Sequence, residues 1–225
     1  MEEVSPWLLF AISVIVIIGL VIFAIFSTRR LELIPQTRLQ NFVEFLVSSL
    51  NNFVVDTIGP GGEKYTPFIG TIFVYILVMN LIGLVPGLKS PTSNLSIIIP
   101  IAVIVFIMYN YYGIRQVGAV RYLKHLVGEP WQLFPLMLPI HLISELARPV
   151  SLSIRLFGNI FGEETLLVVL AGLTYVIIPY VIAIPTQFPV MLLAVLTAFI
   201  QAMVFTILTT IYISLAIAHQ EGEEH

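Results

Sequence analysis

An apolar stretch of the chain, "ARPVSLSIRLFGNIFGEE" (residues 147–164), holds Arg148, Arg155, Asn159, Glu163 and Glu164. As a helix turning ~100° per residue, it returns nearly to the same side every seven positions. Arg155 therefore shares a face with Arg148 and His141 before it and with Gly162 after it. Ser144, Ser151 and Asn159 flank that face, while apolar residues such as "LLVVLAGL" fill the rest. A polar stripe on so apolar a helix is expected to face a cavity or a partner rather than lipid.

Arg155 sets the chemistry. A charge at the middle of a bilayer costs roughly 2.5–3.5 kcal/mol on insertion scales. Its guanidinium stays protonated at biological pH, with a pKa above ~12, so it cannot relay protons by titrating. It can attract a carboxylate and repel a proton or a sodium ion. Glu145 lies ten residues earlier, about 15 Å along a helix, and Glu163 and Glu164 lie about 12–14 Å later. With His141, each half of the helix then has two titratable groups, and a fixed cation stands between them. Such an order suits two aqueous half-paths that must not join.

Plainer readings stand beside this one. Glu145 and Arg148, at i and i+3, suit an ion pair steadying the helix near Pro149. Glu163 and Glu164 suit the outer interface, where charge is cheap, and His141 suits a satisfied polar residue at the inner boundary. Arg155 has no such reading: Glu145 is too far along the helix to neutralise it, so its partner is expected on another helix or chain. In the last apolar segment Gln201 is the strong polar group at mid-depth. It is expected to bond the Arg155 helix or water, or to make an ordinary interhelical bond.

The elements that must position these residues follow from composition. Of 225 residues 58% are hydrophobic and 10% charged, against about 25% charged in soluble domains. The mean hydropathy is +1.01. A net charge of −3 argues against nucleic acid as a partner. The absence of cysteine excludes disulfides, thiolate metal sites and cysteine nucleophiles. No glycine-rich phosphate loop is present, and neither cofactor nor metal is expected.

Apolar runs predict an all-α polytopic membrane protein, one membrane domain over residues 1–225. Its expected spans are 7–26, 65–88 and 92–114, then a long helix over 131–178 and a last helix over 186–218. A break is expected at "IIPYVIAIPTQFP", where each proline removes a backbone donor. The first run is read as a retained span, because "MEEVSP" is acidic where a signal peptide is basic. With the N-terminus outside, Arg29, Arg30, Arg38, Lys64, Arg115, Arg121 and Lys124 fall inside and only Lys89 outside. That is a positive-inside pattern, and five crossings leave "HQEGEEH" in the cytoplasm. Residues 36–58 read as an amphipathic helix, either lying on the inner membrane surface or packed on the protein's own spans.

The motif "ARPVSLSIRLFGNIFGEE", with "NLIGLVPG" (80–87), "SPTSNL" (90–95) and "IQAMVFTILTTIYISLA" (200–216), closely resembles subunit a of the F-type ATP synthase membrane sector. The resemblance covers essentially everything after the first span. It implies a stator of the bacterial-type inner membrane whose last two helices, long and tilted, form a hairpin against a rotating c-ring of hairpin subunits. It further implies partnership with the peripheral-stalk subunit b and, through the stalks, the F1 sector. Arg155 matches the family's essential arginine. Asn159, Glu164 and Gln201 match positions associated with the outer half-channel, with Glu163 beside them. On the inner side the resemblance gives His141, with Glu145 one turn away; Ser144 joins them from the same polar face, and Arg148 is the structural ion-pair partner that the i,i+3 spacing suggests. Two departures stand out: Ala194 occupies a place where related bacterial members carry histidine, and His141 one where some carry an acid. The competing reading is a self-contained cation-coupled secondary transporter. A passive scaffold leaves Arg155 unexplained.

Overall fold

The computed structural model describes residues 6–28, 37–85, 90–118, 134–177 and 187–218. The basic residues Arg29, Arg30, Lys89, Arg121 and Lys124, and the acidic tail, lie outside the described residues. The described chain is helical: α1 Pro6–Thr28, α2 Arg38–Ile58, α3 Thr66–Ile82, α4 Leu95–Val117, α5 Phe134–Ile177 and α6 Gln187–Ala218. Short 3-10 turns, Gly62–Tyr65 and Pro91–Ser93, precede α3 and α4.

Local chemistry sets several ends. The Thr37 hydroxyl accepts from the Gln40 amide at 3.3 Å and caps α2, and Gly59 ends it at φ +95°, a conformation costly for other residues. The Asn94 side chain accepts from the Ser96 amide at 2.9 Å at the start of α4. Helix α3 stops at Ile82 rather than running through the whole apolar stretch. Gly83, Leu84 and Val85 instead bond three residues back to Asn80, Leu81 and Ile82. Gly83 meets the returning chain so closely that a Cβ there would lie 2.6 Å from the Ser90 Cβ.

That return is held by buried polar groups. The Ser90 hydroxyl donates to the Met79 carbonyl at 3.1 Å and pairs with Thr92, which donates to Asn80 Oδ1 at 2.9 Å. Asn80 in turn reaches the Ala198 carbonyl of α6 at 3.5 Å. Bonds of this kind matter in lipid, where hydrophobicity alone does not favour one helix pairing over another.

The core lies where α3, α4, α5 and α6 meet, around Ile69, Ile76, Ile98, Tyr109, Leu156, Phe205 and Ile213. Helix α6 packs chiefly on α3 and α4, and α5 chiefly on α4. Large apolar side chains elsewhere point outward, among them Ile15, Phe26, Ile143, Ile154, Val168 and Leu192. Exposed apolar surface on that scale requires lipid as solvent.

Among the described residues, four helical segments are long and apolar enough to cross a membrane: Trp7–Thr28, Gly62–Ile82, Leu95–Gln116 and Met191–Ile217. Helix α5, which carries Glu145, Arg148, Arg155, Glu163 and Glu164, is not among them. At 44 residues it is nevertheless roughly 66 Å long, about twice a ~30 Å hydrocarbon core. It runs on through Pro139 and Pro149.

Helix α2 packs on the protein's own helices along only part of its length. Its second half packs inward, with Val54 fully buried and Leu50, Phe53 and Ile58 against the core. The Ser214 hydroxyl of α6 donates to the Thr57 carbonyl at 3.3 Å. Its first half turns Leu39, Phe42 and Phe45 outward.

Candidate functional site

Helix α5 buries Leu152, Ser153, Leu156 and Ile160, one stripe at three- and four-residue spacing. Arg155 lies about 100° round the helix from Leu156, and it is exposed. Glu145 and Glu163 are separated by eighteen residues, five full turns at ~3.6 per turn. They share a line nearer the buried stripe, and both are half-buried. The three charges that resemble a row in sequence thus take two directions.

Toward the N-terminal end of α5 the Glu145 carboxylate accepts from Arg148 Nη1 at 2.8 Å through Oε1 and from the Tyr109 hydroxyl of α4 at 2.6 Å through Oε2. The Arg148 guanidinium also stands 5.7 Å from the Tyr109 ring and 5.2 Å from the Tyr212 ring of α6, within cation–π range. The ion pair suggested by i,i+3 spacing is present, together with two tyrosines that sequence reasoning missed. The available signal was a tyrosine inside an apolar span, whose hydroxyl requires a partner when buried. His141 is half-buried and Ser144 exposed.

On the other side of Arg155, Asn159 Nδ2 donates to Gln201 Oε1 at 2.6 Å, joining α5 to α6. Gln201 is 2% exposed, and its Nε2 is buried with no hydrogen-bond partner among the described residues. A donor left so costs about 1–3 kcal/mol, which marks the position as more than packing. Beside this pair Asn159, Gly162, Glu163, Ala194 and Thr197, with two leucines, line an open cleft of about 200 Å³. That is room for several waters. Ala194, where a larger side chain would intrude, forms part of its wall. For Glu164 only the helical backbone position is described.

Between the ends, Arg155 forms no ion pair or hydrogen bond with any described residue; the salt bridge among them is that of Arg148. Gly158 and Gly162 adjoin it on the exposed side, and an added Cβ at either would meet nothing within 4 Å. Glycine within a helix costs about 0.5–1 kcal/mol relative to alanine, and nothing among the described residues requires it at these places.

Fold and site together define a multi-pass, all-α membrane protein whose longest helix shows, between two acid-bearing stretches, an arginine with no anionic partner among the described residues. Residues 8–214 match the family model of the ATP synthase A chain. The chain is 42% identical to ATP synthase subunit a of Protochlamydia amoebophila, over 97% of this chain and 82% of that protein. It is 46% identical to the protein of the same name from Solidesulfovibrio magneticus, over 93% and 82%. The Geobacter sulfurreducens protein of that name is 42% identical over 91% and 86%. The chain belongs to the ATP synthase A chain family and is a membrane component of an ATP synthase complex. The self-contained transporter reading has no support in this relationship.

Proposed function

We propose that this chain is the ion-translocating stator subunit of a rotary ATP synthase, and that Arg155 is the fixed charge met by the carboxylates of a rotating ring. The observation that carries this is Arg155 itself: exposed, at mid-helix, unpaired among the described residues and bordered by Gly158 and Gly162. A guanidinium facing the apolar part of a membrane needs an anion, and small neighbours let another helix approach closely. Together they suit a carboxylate delivered by a second chain.

In this proposal an ion enters from the outer side through the cleft at Glu163, Ala194 and Thr197, with Glu164 beside it. Asn159 and Gln201 guide it, the free Nε2 donor of Gln201 holding a water. On protonation a ring carboxylate loses its attraction to Arg155 and turns away into lipid. A protonated ring carboxyl arriving from the other side gives up its proton toward the inner path, where His141 and Ser144 lie, and the carboxylate so formed is attracted to Arg155. Arg155, which cannot titrate, keeps the two paths from joining. Each elementary charge crossing the membrane provides about 2.3 kcal/mol per 100 mV, so several are gathered per nucleotide. The N-terminus lies outside and the C-terminus in the cytoplasm of a bacterial-type inner membrane, as the basic residues indicate. The c-ring, the peripheral-stalk subunit b and the F1 sector are the proposed partners.

Because the chain has no cysteine, Gly158→Cys adds a unique thiol. Paired with single cysteines on the outer helix of the ring subunit, it is expected to give an oxidative cross-link between the two polypeptides in membranes. A thiol that reacts with small lipid-phase reagents yet cross-links at no ring position contradicts the proposed contact.

A further inference from the structure

Glu145 was read from the sequence both as an inner-path group and as an ion-pair partner, and its surroundings distinguish the two. Both its oxygens are engaged, one by Arg148 at 2.8 Å and one by the Tyr109 hydroxyl at 2.6 Å. Charge-assisted bonds of this kind are roughly twice as strong as neutral ones. Arg148 is itself placed against two aromatic rings, 5.7 and 5.2 Å away on α4 and α6, whose centroids are 6.0 Å apart. Four side chains from three helices thus meet at one point, and the Glu145 and Arg148 side chains are only 17% and 23% exposed. To pass ions, Glu145 would have to release both contacts at each turnover and open the junction of α4, α5 and α6.

We propose that Glu145, Arg148, Tyr109 and Tyr212 form a clamp that fixes the rotation and height of α5, and that Glu145 is a positioning residue for Arg155 rather than a carrier of ions. Arg148 precedes Arg155 by two turns, about 10 Å along the helix, so the clamp sets the direction in which Arg155 points. Pro149 makes such a fixture necessary, since its missing amide leaves the Glu145 carbonyl without its usual helical donor and weakens α5 at this turn. A displacement near 1 Å at a reacting group can cost about a hundredfold in rate. This inference rests on the functional reading above.

The test uses the intact ATP synthase complex reconstituted in lipid vesicles, with ATP-driven proton pumping, passive proton leak and complex yield measured across pH. Tyr212→Leu, which removes a ring from Arg148, is expected to lower coupled pumping about five- to tenfold and raise leak at normal yield. Tyr212→Phe, which keeps the ring, is expected to restore pumping to within about twofold of the native complex. Glu145→Gln is expected to lower pumping about threefold without moving its pH profile. A loss of more than tenfold with a displaced profile in Glu145→Gln would make Glu145 a proton carrier and overturn the clamp. Native pumping and leak in Tyr212→Leu would overturn it as well. Should Tyr212→Leu not assemble, Tyr109→Phe, which removes only the hydroxyl on Glu145, is held to the same expectations. Arg155→Ala serves as the separate control: if it pumps normally the functional reading fails, and if it is inactive while the clamp variants behave as native, only the clamp fails.

Discussion

Arg148 and Arg155 are the same residue type, seven positions apart on one helix and nearly on one face, yet the protein treats them oppositely. Arg148 has a carboxylate, a supporting phenol and two aromatic rings around it. Arg155 is exposed and has no bond to any described residue. A guanidinium compensated within its own chain holds helices together. One left uncompensated is available to an anion from elsewhere, at a cost in stability that only a partner offsets. What distinguishes structural from functional charge here is the inventory of neighbours, since residue type and spacing are alike.

The largest expected effect follows at the uncompensated site. Arg155→Lys is predicted to retain at most a small part of ATP-driven pumping, roughly a tenth or less, because an ammonium is a compact point charge and shifts its protonation when desolvated. Pumping near the native rate would remove the contrast, since any cation would then serve.

Arg148→Ala should behave differently. It strands Glu145 with only the Tyr109 hydroxyl, at a cost of about 2–3 kcal/mol, below the ~3–5 of a fully buried pair. The expected result is a lower yield and a thermal midpoint several degrees lower, with pumping per assembled complex reduced far less than in Arg155→Lys. Equal loss of pumping per complex in both variants would mean that Arg148 too meets the moving carboxylates.

A finer distinction lies at the outer end. Glu164→Gln is predicted to slow transport more than Glu163→Gln, measured as initial pumping rates in vesicles. Equal and small effects would set aside the outer-path assignment. The smallest effect is expected for Ala194→Leu, at a buried position where the larger side chain fills the cleft beside Glu163 and should slow transport a few-fold. An unchanged rate would mean that ions do not use this cleft.

Much of this was legible in the sequence, and the reason differs from residue to residue. Uncharged runs locate membrane helices because the bilayer admits little else, and Arg155 is conspicuous because charge there is expensive. The Glu145–Arg148 pair and the Asn159–Gln201 bond were legible in outline, one from i,i+3 spacing and one from a lone glutamine at mid-depth. Tyr109 and Tyr212 were not. They belong to α4 and α6, and which face each helix turns to α5 depends on tertiary packing that no periodicity encodes. The early end of α3 was missed for a similar reason: Gly83 stops it because Ser90 returns to within contact, a long-range fact. Hydropathy ranks α5 below the other long helices of the core because Glu145, Arg148, Arg155, Glu163 and Glu164 dilute its apolar character.

The most direct test of the central claim is ATP-driven proton pumping by vesicles carrying the intact complex with Arg155→Ala, with passive leak followed on the same preparation. The account predicts abolished pumping at normal complex yield, together with a new passive leak, because the two half-paths then communicate. Undiminished pumping with no added leak would contradict it, and would make Arg155 one more structural charge like Arg148.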